Sequence, residues 1–299
     1  MNFSGVYPVL YAFSGPDGRL DEAAMRRQVQ ACLAVGAHGI AVLGLITEVQ
    51  SLSRDERRAI VAWTADEIAG RVPLAVTICG DNLETQIAAA REAVDLGADW
   101  LIFQPTMGAE DEPSLLRAFG QLADVLDVNF GIQNAPQYLG RGLSHGAILD
   151  LHRQHANFCV LKGEAPATEI ARLRDACGDT LSIFNGRGGL ELPDVLRAGC
   201  VGMIPAPECC DVQIRIYDAL LRGDEDTAEE LYSQILPLIV FVMQSIEASL
   251  TYGKRITGRR LGLANVHDRT PALAPSQFGL ERSMARAGHL PLFPEGENQ

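Results

Sequence analysis

The sequence predicts a (β/α)8 barrel over residues 1–223, followed by a C-terminal helical extension over residues 224–299. Three observations lead there. A helix, glycine, strand unit recurs at Ala34 to Leu43, Asp95 to Phe103 and Arg197 to Ile204. In each copy the glycine can adopt the left-handed conformation that stops a helix, and an apolar run follows at once. Eight such runs alternate with amphipathic segments, as parallel strands covered on both faces require. The first run leads into Tyr11-Ala12-Phe13-Ser14-Gly15-Pro16-Asp17-Gly18, a turn and not the glycine-rich phosphate loop of a doubly wound sheet.

The strands are expected near Val6–Tyr11, Gly39–Leu43, Leu74–Ile78, Trp100–Gln104, Val128–Gln133, Phe158–Lys162, Leu181–Asn185 and Val201–Pro205. Between the first two, Met25, Val29, Cys32 and Leu33 recur at helical spacing. Ser53 with Glu56 forms a capping box, and Ile60, Thr64 and Ile68 line one face of the helix it opens. After Asp211 the strand pattern stops. Helices are expected near Val212–Arg222, Asp226–Tyr252 and Gln277–Ala287, with a loosely docked or disordered tail from Pro291 to Gln299.

Composition narrows the function. A net charge of −13 argues against nucleic acid and against an anionic membrane surface. The apolar run from Ile235 to Met243 is too short to span a bilayer. Seven scattered cysteines without a C-x-x-C pair, and six histidines without ligand spacing, give no disulfide framework or metal site. The expectation is a cytoplasmic enzyme without metal or cofactor, acting on a small molecule.

In a barrel the catalytic groups gather at the carboxyl ends of the strands. There the chain places Tyr11, Gly44 to Glu48, Thr77 and Cys79, Gln104, Gln133 and Asn134, Lys162, Asn185 to Gly189 and Pro205 to Glu208. Of 25 basic residues only Lys162 and Lys254 are lysines. Lys254 lies in a charged stretch, whereas Lys162 ends the apolar run Phe158-Cys159-Val160-Leu161. A lysine so placed either reaches out to solvent or is kept for its chemistry. Burial favours the neutral amine, which can attack a carbonyl and form a Schiff base. The backbone N–H groups of Gly44, Leu45 and Ile46 are candidates to hold a carboxylate. Asn185-Gly186-Arg187 lets a ligand approach the backbone, and Arg187 is a candidate clamp for its distal end.

These residues resemble the dihydrodipicolinate synthase and N-acetylneuraminate lyase superfamily of Schiff-base enzymes acting on 2-keto acids. The resemblance runs from Gly5-Val6-Tyr7-Pro8-Val9 to Arg260-Leu261-Gly262-Leu263. It implies that Lys162 is the Schiff-base lysine and that Gly44 to Glu48 is the G-T-T-G-E carboxylate loop. It also implies a homotetramer built from two dimers. Gly186, Leu192-Pro193, Gly199 and Ile204 follow the pattern of its last two strands, which adds Gly186 and Ile204 to the substrate-binding set.

The departures carry information too. Leu45 and Ile46 stand for the paired threonines, Gln133 for the tyrosine after strand five, and Met107 for the tyrosine lent by a neighbouring subunit. Tyr138 stands for the arginine that grips the semialdehyde carboxylate, which argues against lysine biosynthesis. Gln133-Asn134-Ala135-Pro136, Thr47-Glu48 and Lys162-Gly163-Glu164-Ala165-Pro166 are similar to the 2-keto-3-deoxy-L-arabonate dehydratases. The expected reaction is therefore water loss from a 2-keto-3-deoxy sugar acid, with Lys162 as nucleophile and Thr47 or Gln133 carrying or orienting a proton. A pyruvate-releasing aldolase and a non-catalytic sugar-acid-binding protein are the alternatives.

Overall fold

The computed structural model describes residues 3–109, 111–269 and 272–294. Its eight parallel strands are β1 (Gly5–Val6), β2 (Ile40–Val42), β3 (Leu74–Ile78), β4 (Trp100–Phe103), β5 (Phe130–Asn134), β6 (Phe158–Gly163), β7 (Ser182–Asn185) and β8 (Gly202–Met203). They are hydrogen-bonded in the order β1-β8-β7-β6-β5-β4-β3-β2. The ring closes just past β1, where the Leu10 N–H donates to the Ala41 carbonyl and the Ala41 N–H to that of Pro8, both at 2.9 Å. This is the (β/α)8 barrel the sequence predicts.

Alternation along each strand sorts side chains between two cores. Phe3, Tyr7, Ala75, Trp100, Ile102, Val160 and Phe184 pack together inside the ring, while Leu161 and Ile183 pack outward against helices. The Trp100 ring stacks on Phe3 at 5.1 Å and lies 5.5 Å from Phe184. These aromatics fill the lower lumen, so the open space lies above them, at the carboxyl ends. Val160 faces inward, so Lys162, two residues on, faces the same way. Gly131 is needed at its place on β5: a Cβ there would meet the Val160 carbonyl oxygen at 2.9 Å.

The C-terminal extension departs from expectation in three places. The single helix expected near Asp226–Tyr252 is two, Glu225–Val242 and a second beginning at Ile246, bent by 109°. Ser245 causes the break: its hydroxyl caps the second helix by accepting from the Ala248 N–H at 3.1 Å. The Ser249 hydroxyl then donates to the buried Val242 carbonyl at the end of the first of the two helices, at 2.7 Å. The described part of the tail is docked rather than loose. The buried Arg260 donates to the Pro291 carbonyl at 2.8 Å, and its guanidinium lies 3.8 Å over the Phe293 ring. Residues 295–299 of that expectation lie outside the described residues. Lys254, read from its charged neighbours, is buried instead, as described below. Among the described residues no single helix is long and apolar enough to cross a membrane.

Candidate active site

Lys162 ends β6 in register with Gln133 on β5 and Phe184 on β7, and is 5 % exposed. Its Nζ lies 3.2 Å from Oε1 of Glu164, a carboxylate that is also buried. Glu164 directly follows β6, and its N–H still donates to the Asn134 carbonyl of β5 at 3.0 Å, so the i, i+2 alternation of the strand carries over and puts it on the Lys162 face. Gly186, at the end of β7, leaves the space they occupy. A Cβ there would lie 2.7 Å from both the Lys162 Cε and the Glu164 Cγ.

Glu164 receives a second donor. The Gln133 amide nitrogen donates to its Oε1 at 2.5 Å. Gln133 cannot present its other end, because its Oε1 accepts from the Gln104 amide at 2.9 Å. Gln86 in turn donates to the Gln104 backbone carbonyl at 2.8 Å. The buried chain Gln86, Gln104, Gln133, Glu164 thus runs in one direction and ends on the carboxylate beside the amine. An amide chain of this kind orients a carboxylate and does not relay protons as hydroxyls do.

The cavity over Lys162 is small, about 30 Å³, and is walled by Val9, Leu45, Ile46, Tyr138, Gly188, Ile204 and Ala206 besides these polar groups. Met243 and Ile246, from the bend in the extension, also line it. Burial raises the Tyr138 phenol above its ordinary value, and the nearby Glu164 charge adds to this. A larger cavity of about 370 Å³ lies between helices Arg54–Ile68 and Leu83–Asp95. It holds Arg54, Arg57, Arg58 and Arg141, and burial raises the pKa of its one thiol, Cys79. Among the described residues its lining holds no lysine.

The loop after β2 is a 3-10 turn, Leu45–Thr47. Leu43 and Glu48, on either side of it, take left-handed φ angles of 61° and 57°. A left-handed non-glycine residue costs on the order of 1–2 kcal/mol, so surrounding contacts must hold the loop. Leu45 and Ile46 reach the cavity, while Gly44 packs against Val9, 3.0 Å from a Cβ position. Thr47, expected to carry or orient a proton, instead donates its hydroxyl to the Leu10 carbonyl at 2.7 Å and is fully buried there. Its hydroxyl fastens the loop to the end of the first strand.

Two more expected residues lie beside the cavity and not on its wall. Asn185 faces outward next to Phe184, and its amide donates to the Gly163 and Ala165 carbonyls at 3.2 and 3.1 Å. Arg187 donates to Glu191 at 2.6 Å, so its guanidinium is engaged away from the ligand space. Arg141 likewise spends one nitrogen on the Thr106, Met107 and Ala109 carbonyls, at 2.9 to 3.0 Å. Met107 itself is exposed. Gln104 stood among the strand ends and Glu164 within the lysine motif, but sequence reasoning assigned neither of them a role. The signal for Glu164 was there, in the i, i+2 spacing from Lys162.

In the 3-10 turn Pro207–Cys209 that follows β8, Glu208 is buried and accepts from the Tyr11 hydroxyl at 3.1 Å. Burial pushes its carboxyl up from 4.5 to about 7. A raised acid keeps its proton in the folded chain after the unfolded chain has lost it. Stability is therefore lost as pH rises from about 4.5 to about 7, by on the order of 3 kcal/mol. Glu208→Gln should flatten the dependence of Tm on pH between 5 and 8 and raise Tm at pH 8. Parallel curves for the two proteins would show that Glu208 is ionised in the fold.

A closed parallel barrel with a buried amine at the end of its sixth strand, beside a carboxylate, defines a class of carbonyl-handling enzyme. Comparison with known proteins makes it specific. Residues 2–277 match the dihydrodipicolinate synthetase family, and the chain belongs to that family of Schiff-base lyases. It is 30% identical over 243 residues to the 4-hydroxy-tetrahydrodipicolinate synthase of Acidiphilium cryptum, covering 79% of this chain and 82% of that one. The synthase of Methanoculleus marisnigri is 28% identical over 244 residues, with 79% and 83% covered. In fold, the solved dihydrodipicolinate synthase of Rhodopseudomonas palustris superposes with a TM-score of 0.88 at 23% identity, over 96% of this chain and 97% of that one.

Proposed function

We propose that the protein is a Schiff-base dehydratase of a 2-keto-3-deoxy sugar acid. The observation that carries this reading is Glu164, held by Gln133 and 3.2 Å from the Lys162 amine, where hydroxyl groups would otherwise relay protons. Lys162 attacks the C2 carbonyl, and loss of water gives an iminium. The iminium draws electrons from C3, whose proton passes to the Glu164 carboxylate. The enamine then expels the C4 hydroxyl, and Glu164 returns the proton so that water leaves. Hydrolysis of the remaining imine frees Lys162. One carboxylate serves as base and then as acid, which a dehydration allows because the proton and the hydroxyl leave from neighbouring carbons.

The N–H groups of Leu45 and Ile46, the first of the 3-10 turn, have no carbonyl within that turn and suit the C1 carboxylate. Distally, Tyr138 offers a phenol, and the nearby guanidinium of Arg187 is engaged by Glu191. That end suits a hydroxyl better than the second carboxylate a semialdehyde condensation would bring, which sets this chain apart from the synthases named above. The cavity of about 30 Å³ must widen to admit a five- or six-carbon acid, and Met243 and Ile246 are the lining residues that come from the extension.

Product analysis tests the reading. Incubation with a panel of 2-keto-3-deoxy acids should give products 18 mass units lighter with the carbon skeleton whole, the loss of one water. Release of pyruvate and an aldehyde would make the protein an aldolase.

A further inference from the structure

The chain's second lysine is as buried as its first. Lys254 is 1 % exposed, and its Nζ forms an ion pair with Oε2 of Glu48, at the far end of the β2 loop. Its backbone is fixed as well. It follows a π turn, Ser249–Gly253, a feature that recurs at functional sites. Gly253 sits against the Tyr11 hydroxyl, where a Cβ would come within 2.3 Å. That hydroxyl donates to Glu208 and to the Ser249 carbonyl at 3.1 and 3.2 Å, tying the π turn to the ends of the first and last strands. The ammonium is thus delivered from a rigid mount.

What it holds is the residue that most needs holding. Glu48 is left-handed and links the Leu45–Thr47 turn to a second one, Val49–Ser51. Its side chain is 12% exposed, so without a partner its carboxylate gains by turning to solvent. Such a turn releases the left-handed backbone, and with it the placement of Leu45 and Ile46 in the Lys162 cavity. The Thr47 hydroxyl, through Leu10, and the core packing of Val49 and Leu52 would then be left to fasten the loop, on either side of Glu48 but not at it.

We propose that Lys254 is a positioning residue for the reaction at Lys162: it pins Glu48 and so sets the loop against the carboxylate end of the 2-keto acid. This rests on the reading that Lys162 forms an imine with such an acid. Lys254 touches no substrate and forms no imine.

The test is borohydride trapping of pyruvate, followed by intact mass across a range of pyruvate concentrations. In Lys254→Met the half-saturating concentration should rise about tenfold, while the protein is still fully trapped at saturation. Lys254→Arg, which keeps a cation, should stay within about threefold of the parent. Glu48→Gln should move the same way as Lys254→Met, and it serves if that variant does not fold. The double variant Lys254→Met with Glu48→Met separates position from stability. An apolar pair can replace a buried ion pair at little cost, so its Tm should recover while its half-saturation stays high. Recovery of both would make the pair a structural brace only and overturn the proposal. Unchanged half-saturation in Lys254→Met and Glu48→Gln would overturn it too, with imine formation left standing. No adduct in the parent protein would overturn imine formation itself and the positioning role with it.

Discussion

Lys162→Ala is expected to remove the borohydride-trapped pyruvate adduct entirely and to take turnover below detection. Among the described residues the amine is the sole group in the cavity wall able to form an imine, because the other side-chain nitrogen there is the Gln133 amide. Lys254 cannot replace it, being buried against Glu48 and not part of the cavity lining. Lys162→Arg makes the sharper variant. It preserves a cation opposite Glu164, and so spares the fold the cost of a lone buried carboxylate, about 3–5 kcal/mol when one partner of such a pair is lost. A guanidinium forms no imine under these conditions, so this variant too should give no adduct. Intact mass after borohydride, together with a thermal melt, reads both outcomes. An adduct of normal yield in either variant would move the nucleophile away from β6.

Much of this site was legible because barrels impose order on sequence. An apolar run that ends in one of two lysines announces a strand with an inward group at its carboxyl end, and Lys162 is found there. The helix at Gln277–Ala287 and the capping box at Ser53 are likewise local, and each is found as read. Contacts between distant segments were not legible. Lys254 could be read only as part of a charged stretch because its partner, Glu48, lies 206 residues away in sequence. Arg187 looked like a free clamp because nothing in a glycine-rich stretch tells that the chain turns Glu191 back upon it. Thr47 looked like a proton carrier because its loop was recognised before its direction was known, and direction depends on the Leu43 and Glu48 backbone angles. The bend at Ser245 was missed for another reason. A hydrophobic period continues through it, and one serine gave the stop and the restart.

Glu164→Gln should separate imine formation from the steps that follow it. Glutamine fills the same space beside Gly186 but cannot take a proton from C3. Trapping of pyruvate at Lys162 should therefore survive, since that needs the amine and not the carboxylate. Turnover of the 2-keto-3-deoxy acid should fall by roughly 10²–10⁴-fold, the range that a placed acid–base group contributes. Exchange of the pyruvate methyl protons in D₂O, followed by proton NMR, isolates the first half of the reaction, because pyruvate has no C4 hydroxyl to lose. That exchange should fall with turnover if Glu164 removes the proton. Exchange at the parent rate with turnover lost would leave Glu164 as the acid for the hydroxyl only, with the C3 proton taken elsewhere. Turnover within about threefold of the parent would pass both roles to another group, and Tyr138 is the one remaining wall residue with a proton to give. The Gln133 amide is the internal control. Gln133→Ala leaves the carboxylate in place but unheld, so it should lower turnover less than Glu164→Gln does. It should also strand the Gln104 amide, which now donates to Gln133 at 2.9 Å, and so cost stability of about 1–3 kcal/mol that Glu164→Gln does not.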